Sequence, residues 1–353
     1  MNSHKPMTVK MFSSTIGGGG GVSQYISNLT SALRARGHKV TLIQPIHAGM
    51  NKSFKVAAYN ALGIHLAKSE PNCVIHSHEA DGALLLTKNA HVMTIHGVVA
   101  DEIKYFHKLA ERTSIRFASM MEAVSCRRAD RCTAVSDFSR EKAAHLYQLN
   151  RSNIQIIHPC VDTERFKPVP SYSNARNVLF VGRIYKRKGL DTLLQALALI
   201  RNERLTLRVI GSGPEQNRIE ELIKNLDLKE RVTLLGEISS AQLLENYQKS
   251  DVVCIPSHQE GFSIVAIEAQ ACGVPVVGMH VGGLPEAVED SKLLAQKGSI
   301  EALSQILLKT VTEASEARRR RCRQFVLTNF APEIIASKME TVYRQALDRD
   351  END

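Results

Sequence analysis

The run VLFVGRIYKRKGLDTLLQALALI, residues 178–200, decides the fold. Val178–Gly182 reads as a short apolar strand. A basic loop follows, and Gly189–Ile200 reads as a helix. A strand passed to a helix through a short loop is half of a βαβ unit, and the same phrase then repeats. Downstream come strand Thr206–Ile210, helix Gln216–Asn225, strand Val232–Leu235 and helix Ala241–Lys249. Strand Val252–Ile255, helix Ser263–Cys272 and strand Pro275–Gly278 complete the series. Strands alternating with helices predict a parallel sheet covered on both faces.

Upstream, RFKPVPSYSNARN (165–177) breaks the pattern with two prolines and several polar residues. It is expected to be a linker, with 166–177 as its extent. Before it the same alternation appears. Strand Thr8–Ser13 runs into Gly17–Gly21, helix Val22–Arg36 ends at Gly37, and strands fall at Lys39–Gln44, Cys73–His76, His91–Ile95 and Arg131–Val135. Residues from Asp101 to about Ala129 read as mostly helical. The expectation is α/β with two doubly wound, Rossmann-like domains facing a central cleft, residues 1–165 and 178–330. A last helix, about Ala331–Leu347, returns to the first domain, so that 331–353 belong with it. Ligands of such sheets sit at the carboxyl ends of the strands.

A chain of 353 residues, 43% hydrophobic and 23% charged, suits two soluble globular domains. It has no run of about 20 apolar residues, and MNSHKPMTVKMF lacks the features of a signal peptide, so the expected location is the cytoplasm. The seven cysteines are scattered without a C-x-x-C pair, which argues for reduced thiols and against a zinc site. Cys254 and Cys272 are expected in the core. Residues 1–170 hold 21 of the 45 Lys and Arg but 12 of the 36 Asp and Glu, so the whole net charge of +9 lies there. That half is expected to meet something anionic: a lipid surface, a phosphorylated acceptor or nucleic acid. Lys104, Lys108, Arg112 and Arg116 fall on one helical face, either a basic docking face or a solvated one, with Ile103, Phe106, Leu109 and Ala110 elsewhere on the helix. The Arg318–Arg321 run reads as the solvated face of a polar helix rather than as a nucleic-acid site.

Three constellations could carry chemistry. Gly17–Gly21 lets the backbone approach a ligand ahead of a helix N-terminus that favours anions; a loop without ligand contact is the alternative. A dehydrogenase would want an acid where the second strand ends, and Leu42-Ile43-Gln44-Pro45 has none. Arg183 at a strand's carboxyl end and Lys188 at the next helix mouth suit a pyrophosphate. In PSHQEGFSIVAIE (256–268), Glu260 lies on a loop, and the helix start at Gly261–Val265 can hold phosphate. Glu268 sits among small apolar residues, where a bare carboxylate is costly. A ribose diol, or a structural Arg or Lys, would satisfy it. His76 and His78 could suggest a metal, but no third ligand is evident.

The second half resembles the retaining glycosyltransferases of family four, a GT-B group that uses nucleotide-sugar donors. The resemblance rests on VGRIYKRKGLDTLLQA, VIGSGP, PSHQEGFSIVAIEAQACGVPVVG, GGLPE and above all Glu260-x7-Glu268. The N-terminal GGGGGVSQYISNLTSALRARGHKVTLI and the terminal helix fit as well. The resemblance implies that Arg183 and Lys188 bind the diphosphate, Glu260 the donor sugar's hydroxyls and Glu268 the ribose. The main chain of Gly261, Phe262, Ser263, Ile264 and Val265 would hold phosphate or sugar. Gly211 and Gly213, with the turn Gly236-Glu237-Ile238, would frame the base. Gly20 and Gly21 match glycines beside the diphosphate, and His96 a histidine near the reacting sugar; a structural histidine is its alternative.

The expected activity is therefore sugar transfer with retention, with catalytic residues His96, Arg183, Lys188 and Glu260. No cofactor or metal is expected, and UDP is favoured over GDP in the donor. The acceptor would be a glycan, a lipid-linked molecule or a small molecule, in surface polysaccharide or glycoconjugate assembly of bacterial type. The basic N-terminal half could place the protein on the inner face of the cytoplasmic membrane. Nucleic acid is not an expected partner. A phosphorylase, a nucleotide-sugar epimerase and a catalytically dead nucleotide-sugar-binding subunit are the rivals. For an inverting reaction, His96, His78, Glu79 and Asp81 would be the first-domain candidates for a base.

Overall fold

The computed structural model describes residues 5–16, 20–43, 70–83, 85, 87–103, 109–169, 176–201 and 205–350. The chain forms two compact units, Met1–Cys160 with Pro332–Asp353, and Val161–Ala331.

The first unit holds strands β1 (Thr8–Phe12), β2 (Lys39–Ile43), β3 (Cys73–His78), β4 (Ala90–Ile95), β5 (Arg131–Ala134) and β6 (Ile154–Ile156). All pair in parallel, in the order β2-β1-β3-β4-β5-β6. β3 and β4 are buried along their whole length, as central strands of a sheet covered on both faces must be. Helix α1 (Gly21–Ala35) buries Tyr25, Ile26, Leu29 and Leu33. Helix α2 (Leu109–Arg128) begins with Arg112 and Arg116 exposed and sinks into the core from Met121 onward. Lys104 and Lys108 lie outside the described residues, as do Gly17–Gly19 and Gln44. Helix α3 (Asp137–Leu146) and β6 have no counterpart in the sequence reading.

In the second unit, β7 (Asn177–Val181), β8 (Thr206–Ile210), β9 (Val232–Gly236), β10 (Val252–Ile255), β11 (Val276–Met279) and β12 (Leu294–Ala295) are again parallel. Their order, β12-β11-β10-β7-β8-β9, is that of the dinucleotide-binding doubly wound sheet. Helices α4 (Leu190–Leu199), α5 (Gln216–Asn225), α6 (Ser240–Gln248), α7 (Ile264–Ala271), α8 (Ile300–Thr312) and α9 (Glu316–Asn329) belong to it. Leu193, Leu194 and Leu197 of α4 are fully buried in one cluster with Val178, Leu207, Val252 and Leu307.

Two expectations change here. Residues 161–165 belong to the second unit, and the stretch expected as linker starts inside it. Arg323 donates to the carbonyls of Thr163, Phe166 and Ala271 at 2.8, 2.6 and 3.1 Å, and Phe166 is buried against Tyr247. The proline-rich part, 170–175, lies outside the described residues. The arginine run is also not a plain solvated face. Arg319 is buried and donates to Ser250 O and Cys272 O. Arg319 and Arg323 thus satisfy carbonyls where α7 ends, which a helix C-terminus otherwise leaves open.

The last helix, α10 (Pro332–Asp350), packs in the first unit. Glu340 receives both Arg36 guanidinium bonds and the His38 Nε2–H at 2.8 Å. The tautomer is assigned because His38 Nδ1 accepts the Met7 N–H. Burial pushes Glu340 up, yet the bonds from Arg36 and His38 outweigh it and bring its pKa down to about 2.

Candidate active site

The order of the second sheet reverses between β7 and β10, so the loops leaving these strands splay apart and open a crevice. After β7 the chain runs through Gly182 and Arg183 into a 3₁₀ turn, Lys186–Lys188. Gly189 then takes a left-handed conformation, φ 67°, and a Cβ there would lie 2.1 Å from Pro256 O. This close approach brings the two loops together. Lys188 Nζ sits 2.7 Å from Glu260 Oε1, which also accepts the Ser257 hydroxyl at 2.7 Å. Arg187 donates to Gln259 O, and His258 N–H to Arg187 O. Glu260 is fixed from behind too, because Gly283 N–H donates to its carbonyl. Arg183 remains exposed, its guanidinium 4.7 Å from the Tyr185 ring centre.

Ser263 caps α7 through its hydroxyl, which accepts the Ala266 N–H. The Phe262 ring packs on Phe330, so only the main chain of that residue is placed to serve a ligand. Glu268, one turn on, is buried, and neither Lys nor Arg pairs with it among the described residues. Its partner is the Tyr247 hydroxyl, which donates to Oε2 at 2.9 Å. Burial raises the Glu268 pKa to about 7 against the lowering bond from Tyr247 and the charge of Arg165. The next loops are laced together: Gly211 N–H donates to Gly236 O, Ile184 N–H to Ser212 O, and Gln216 N–H to Gly213 O. The Ser212 hydroxyl donates to Glu237, and Ile238 beside it is half-buried. Arg183, Lys188, Glu260, Gly211, Gly213 and the Glu237–Ile238 turn thus share one end of this sheet, with the N-terminus of α7.

In the first unit the order reverses between β1 and β3. Gly20, φ 135°, starts α1 without any side-chain cap, so no capping side chain takes the N–H groups of Gly21, Val22 and Ser23. Asp81 is buried and accepts the Ser14 N–H at 2.7 Å, so this carboxylate is engaged with the turn that follows β1. His96 follows β4, half-buried, and its Nε2 lies 3.0 Å from His78 Nδ1. The Tyr25 ring meets His96 edge-on at 4.6 Å. His76 bonds the Tyr343 hydroxyl through Nδ1 at 2.8 Å and Thr94 through Nε2 at 2.6 Å. Burial holds His76 and His96 down at about 3 and His78 well below its usual value, so all three rings are neutral.

The pairs Tyr247–Glu268 and His78–His96 and the carbonyl-binding Arg319 and Arg323 escaped the sequence reading. The HSH motif was the only signal for any of them. All seven cysteines are buried free thiols. Among the described residues, no group of three or more His, Cys, Asp or Glu is arranged to hold a metal ion, and no helix is long and apolar enough to cross a membrane.

Two doubly wound parallel sheets, each with its glycine-rich or basic loops at the point of strand reversal, define the GT-B class. The model for Glycosyltransferase Family 4 matches residues 19–165, and that for Glycosyl transferases group 1 matches 161–325. The chain belongs to these GT-B glycosyltransferases, a family 4 domain preceding a group 1 domain. It is 37% identical over 183 residues to D-inositol 3-phosphate glycosyltransferase of Kineococcus radiotolerans, covering 46% of this chain and 42% of that one. With the Mycolicibacterium smegmatis protein of the same name it shares 35% over 228 residues, 59% of this chain and 52% of that one. The match thus spans about half the length of these relatives. The fold is that of sucrose-phosphate synthase from Thermosynechococcus elongatus, TM-score 0.81, 22% identical, covering 97% and 100% of the two chains. An Anabaena protein, HepE, solved with UDP-glucose, superposes with TM-score 0.74 at 18% identity over 95% and 99%.

Proposed function

We propose that the protein transfers a sugar, with retained anomeric configuration, from a nucleoside diphosphate sugar to an anionic acceptor. The observation that carries this is the Lys188–Glu260 pair beside Arg183 and the N-terminus of α7, at the reversal point of the second sheet. Arg183, Lys188 and the amides of Gly261–Val265 stabilise the diphosphate as its charge grows. Glu260 binds the sugar's hydroxyls, Glu268 the ribose, and His96 serves the sugar. The sugar C1–phosphate oxygen bond breaks, the acceptor oxygen bonds C1 on the same face, and the leaving phosphate oxygen takes the acceptor's proton. UDP is the preferred nucleotide; the Anabaena neighbour that binds UDP-glucose supports this reading. The positive charge of residues 1–170 and the phosphorylated inositol in the names of the curated relatives favour a phosphorylated acceptor. Arg112 and Arg116 on α2 offer the same charge to an anionic membrane, where surface polysaccharide or glycoconjugate assembly would take place.

A thermal-shift panel of UDP, GDP, ADP and their sugars tests the donor site, since a ligand at about 100 times its Kd adds about 2.7 kcal/mol. Proton NMR of the product from an α-linked donor reads the stereochemistry, and a β-linked product would overturn retention. Turnover should continue in EDTA, because two cations and a helix terminus meet the diphosphate; loss restored by magnesium or manganese would refute that.

A further inference from the structure

We propose that His78 is a positioning residue that holds His96 in the tautomer with its proton on Nδ1, making His96 a hydrogen-bond donor to substrate and not a base. The proposal rests on the reading above that His96 serves the donor sugar. Its footing is geometric. His78 is fully buried, its Nδ1 lies 3.0 Å from His96 Nε2, and its own Nε2 is buried with no hydrogen-bond partner among the described residues. Among the described residues, the bond to His78 is also the only one that His96 makes.

Two neutral imidazoles 3.0 Å apart share one proton along their contact. If His96 Nε2 donated it, His78 would carry its own proton on Nε2 and leave an N–H buried without an acceptor. If His78 Nδ1 donates it, the buried Nε2 is a bare lone pair. Orphaned buried N–H groups are rarer than under-satisfied acceptors, so the second arrangement prevails. His96 Nε2 is then an acceptor, and its single proton must sit on Nδ1.

The surroundings hold this arrangement in place. The His76 ring lies against His78 at 4.4 Å between centres, and His76 is itself tied to Tyr343 of α10 and Thr94 of β4. The Tyr25 ring closes on both His78 and His96, at 5.9 and 4.6 Å. No acidic side chain bonds any of the three histidines among the described residues, so nothing there favours an imidazolium. A His96 that already carries its proton on Nδ1 can steady a sugar hydroxyl but cannot deprotonate an acceptor. That agrees with a reaction in which the leaving phosphate takes the proton.

The test uses the full chain labelled with 15N-histidine, the His96 signals being assigned by their loss in His96→Gln. The expected spectrum shows His96 Nδ1 protonated and Nε2 bare. In His78→Phe, which keeps the bulk and removes both nitrogens, His96 should move toward the Nε2–H form, and kcat should fall about tenfold with the donor KM unchanged. His78→Asn keeps an amide N–H near the position of Nδ1 and should restore kcat to within a few-fold. A protonated Nε2 on His96 in the natural protein overturns the proposal, as does an unchanged His96 tautomer in His78→Phe. If His78→Phe does not fold, the natural protein's spectrum and the His78→Asn rate decide. The spectrum needs no turnover. A chain that transfers no sugar but shows the expected tautomer refutes the assigned activity and leaves the pairing standing.

Discussion

The ammonium of Lys188 lies 2.7 Å from a Glu260 carboxylate oxygen, so one cation ties the loop that follows β7 to the loop that follows β10. Glu260 is buried and Lys188 only partly exposed. Lys188→Met leaves Glu260 with the Ser257 hydroxyl alone, which should destabilise the protein by about 1–3 kcal/mol. Adding Glu260→Gln should return most of that, while UDP affinity stays at least about tenfold weaker for want of the cation. Urea denaturation and calorimetric UDP titration of the single and double variants check it. Full recovery of UDP binding in the double variant would remove Lys188 from the site.

Gly282 makes a second backbone contact at the same place. Its φ is 55°, and a Cβ would lie 1.9 Å from Glu260 O. Gly282→Ala must push the Glu260 loop away, at a cost of roughly 2 kcal/mol or more. Donor affinity should drop with it. A melting temperature and UDP affinity equal to those of the natural chain would mean the loop yields freely.

Glu268 makes stability depend on pH. Its pKa is raised by burial to about 7 from an ordinary 4.5. As pH rises, the unfolded chain therefore ionises first, and stability is lost between about 4.5 and about 7. Glu268→Gln should abolish this slope, on the order of 3 kcal/mol in all. UDP binding through an ionised carboxylate should strengthen across the same interval in the natural protein and stay flat in the variant. Chemical denaturation and UDP titration at several pH values from 5 to 8 read both slopes. Parallel curves for the two proteins would contradict the assignment.

Glu340 has the opposite sign. Held down to about 2 by Arg36 and His38 against its burial, it stabilises the fold above about pH 4.5, and that contribution is lost as pH falls toward 2. Glu340→Ala leaves His38 and the Arg36 head unsatisfied, costing roughly 3 kcal/mol. Differential scanning calorimetry at neutral pH should show a lower melting temperature. No change there would mean that α10 is held by its apolar face alone.

Alternation of strands and helices was readable because it is local. Arg183, Lys188 and Glu260 could be found for the same reason: each stands where a strand releases the chain. Helix α3 could not, since Ser139 and Ala143 are its only buried positions and make no apolar stripe. The three residues of β6 are too few to alternate. Tyr247, 21 residues from Glu268, becomes its partner only when α6 and α7 pack. Arg319 looked like its solvated neighbours because burial of a guanidinium depends on the carbonyls it reaches, Ser250 O and Cys272 O, far off in sequence.

Because Pro332–Asp353 belongs to the first unit, the second is an insertion within it. On the ribosome this reverses the usual order. Val161–Ala331 is complete once its own last residue has emerged, whereas the first unit, begun earlier, waits for α10. Until Tyr343 and Glu340 emerge, His76 has no phenol and the Arg36–His38 pair no carboxylate. The unit translated first is thus the last to close, because it alone waits for residues beyond 331.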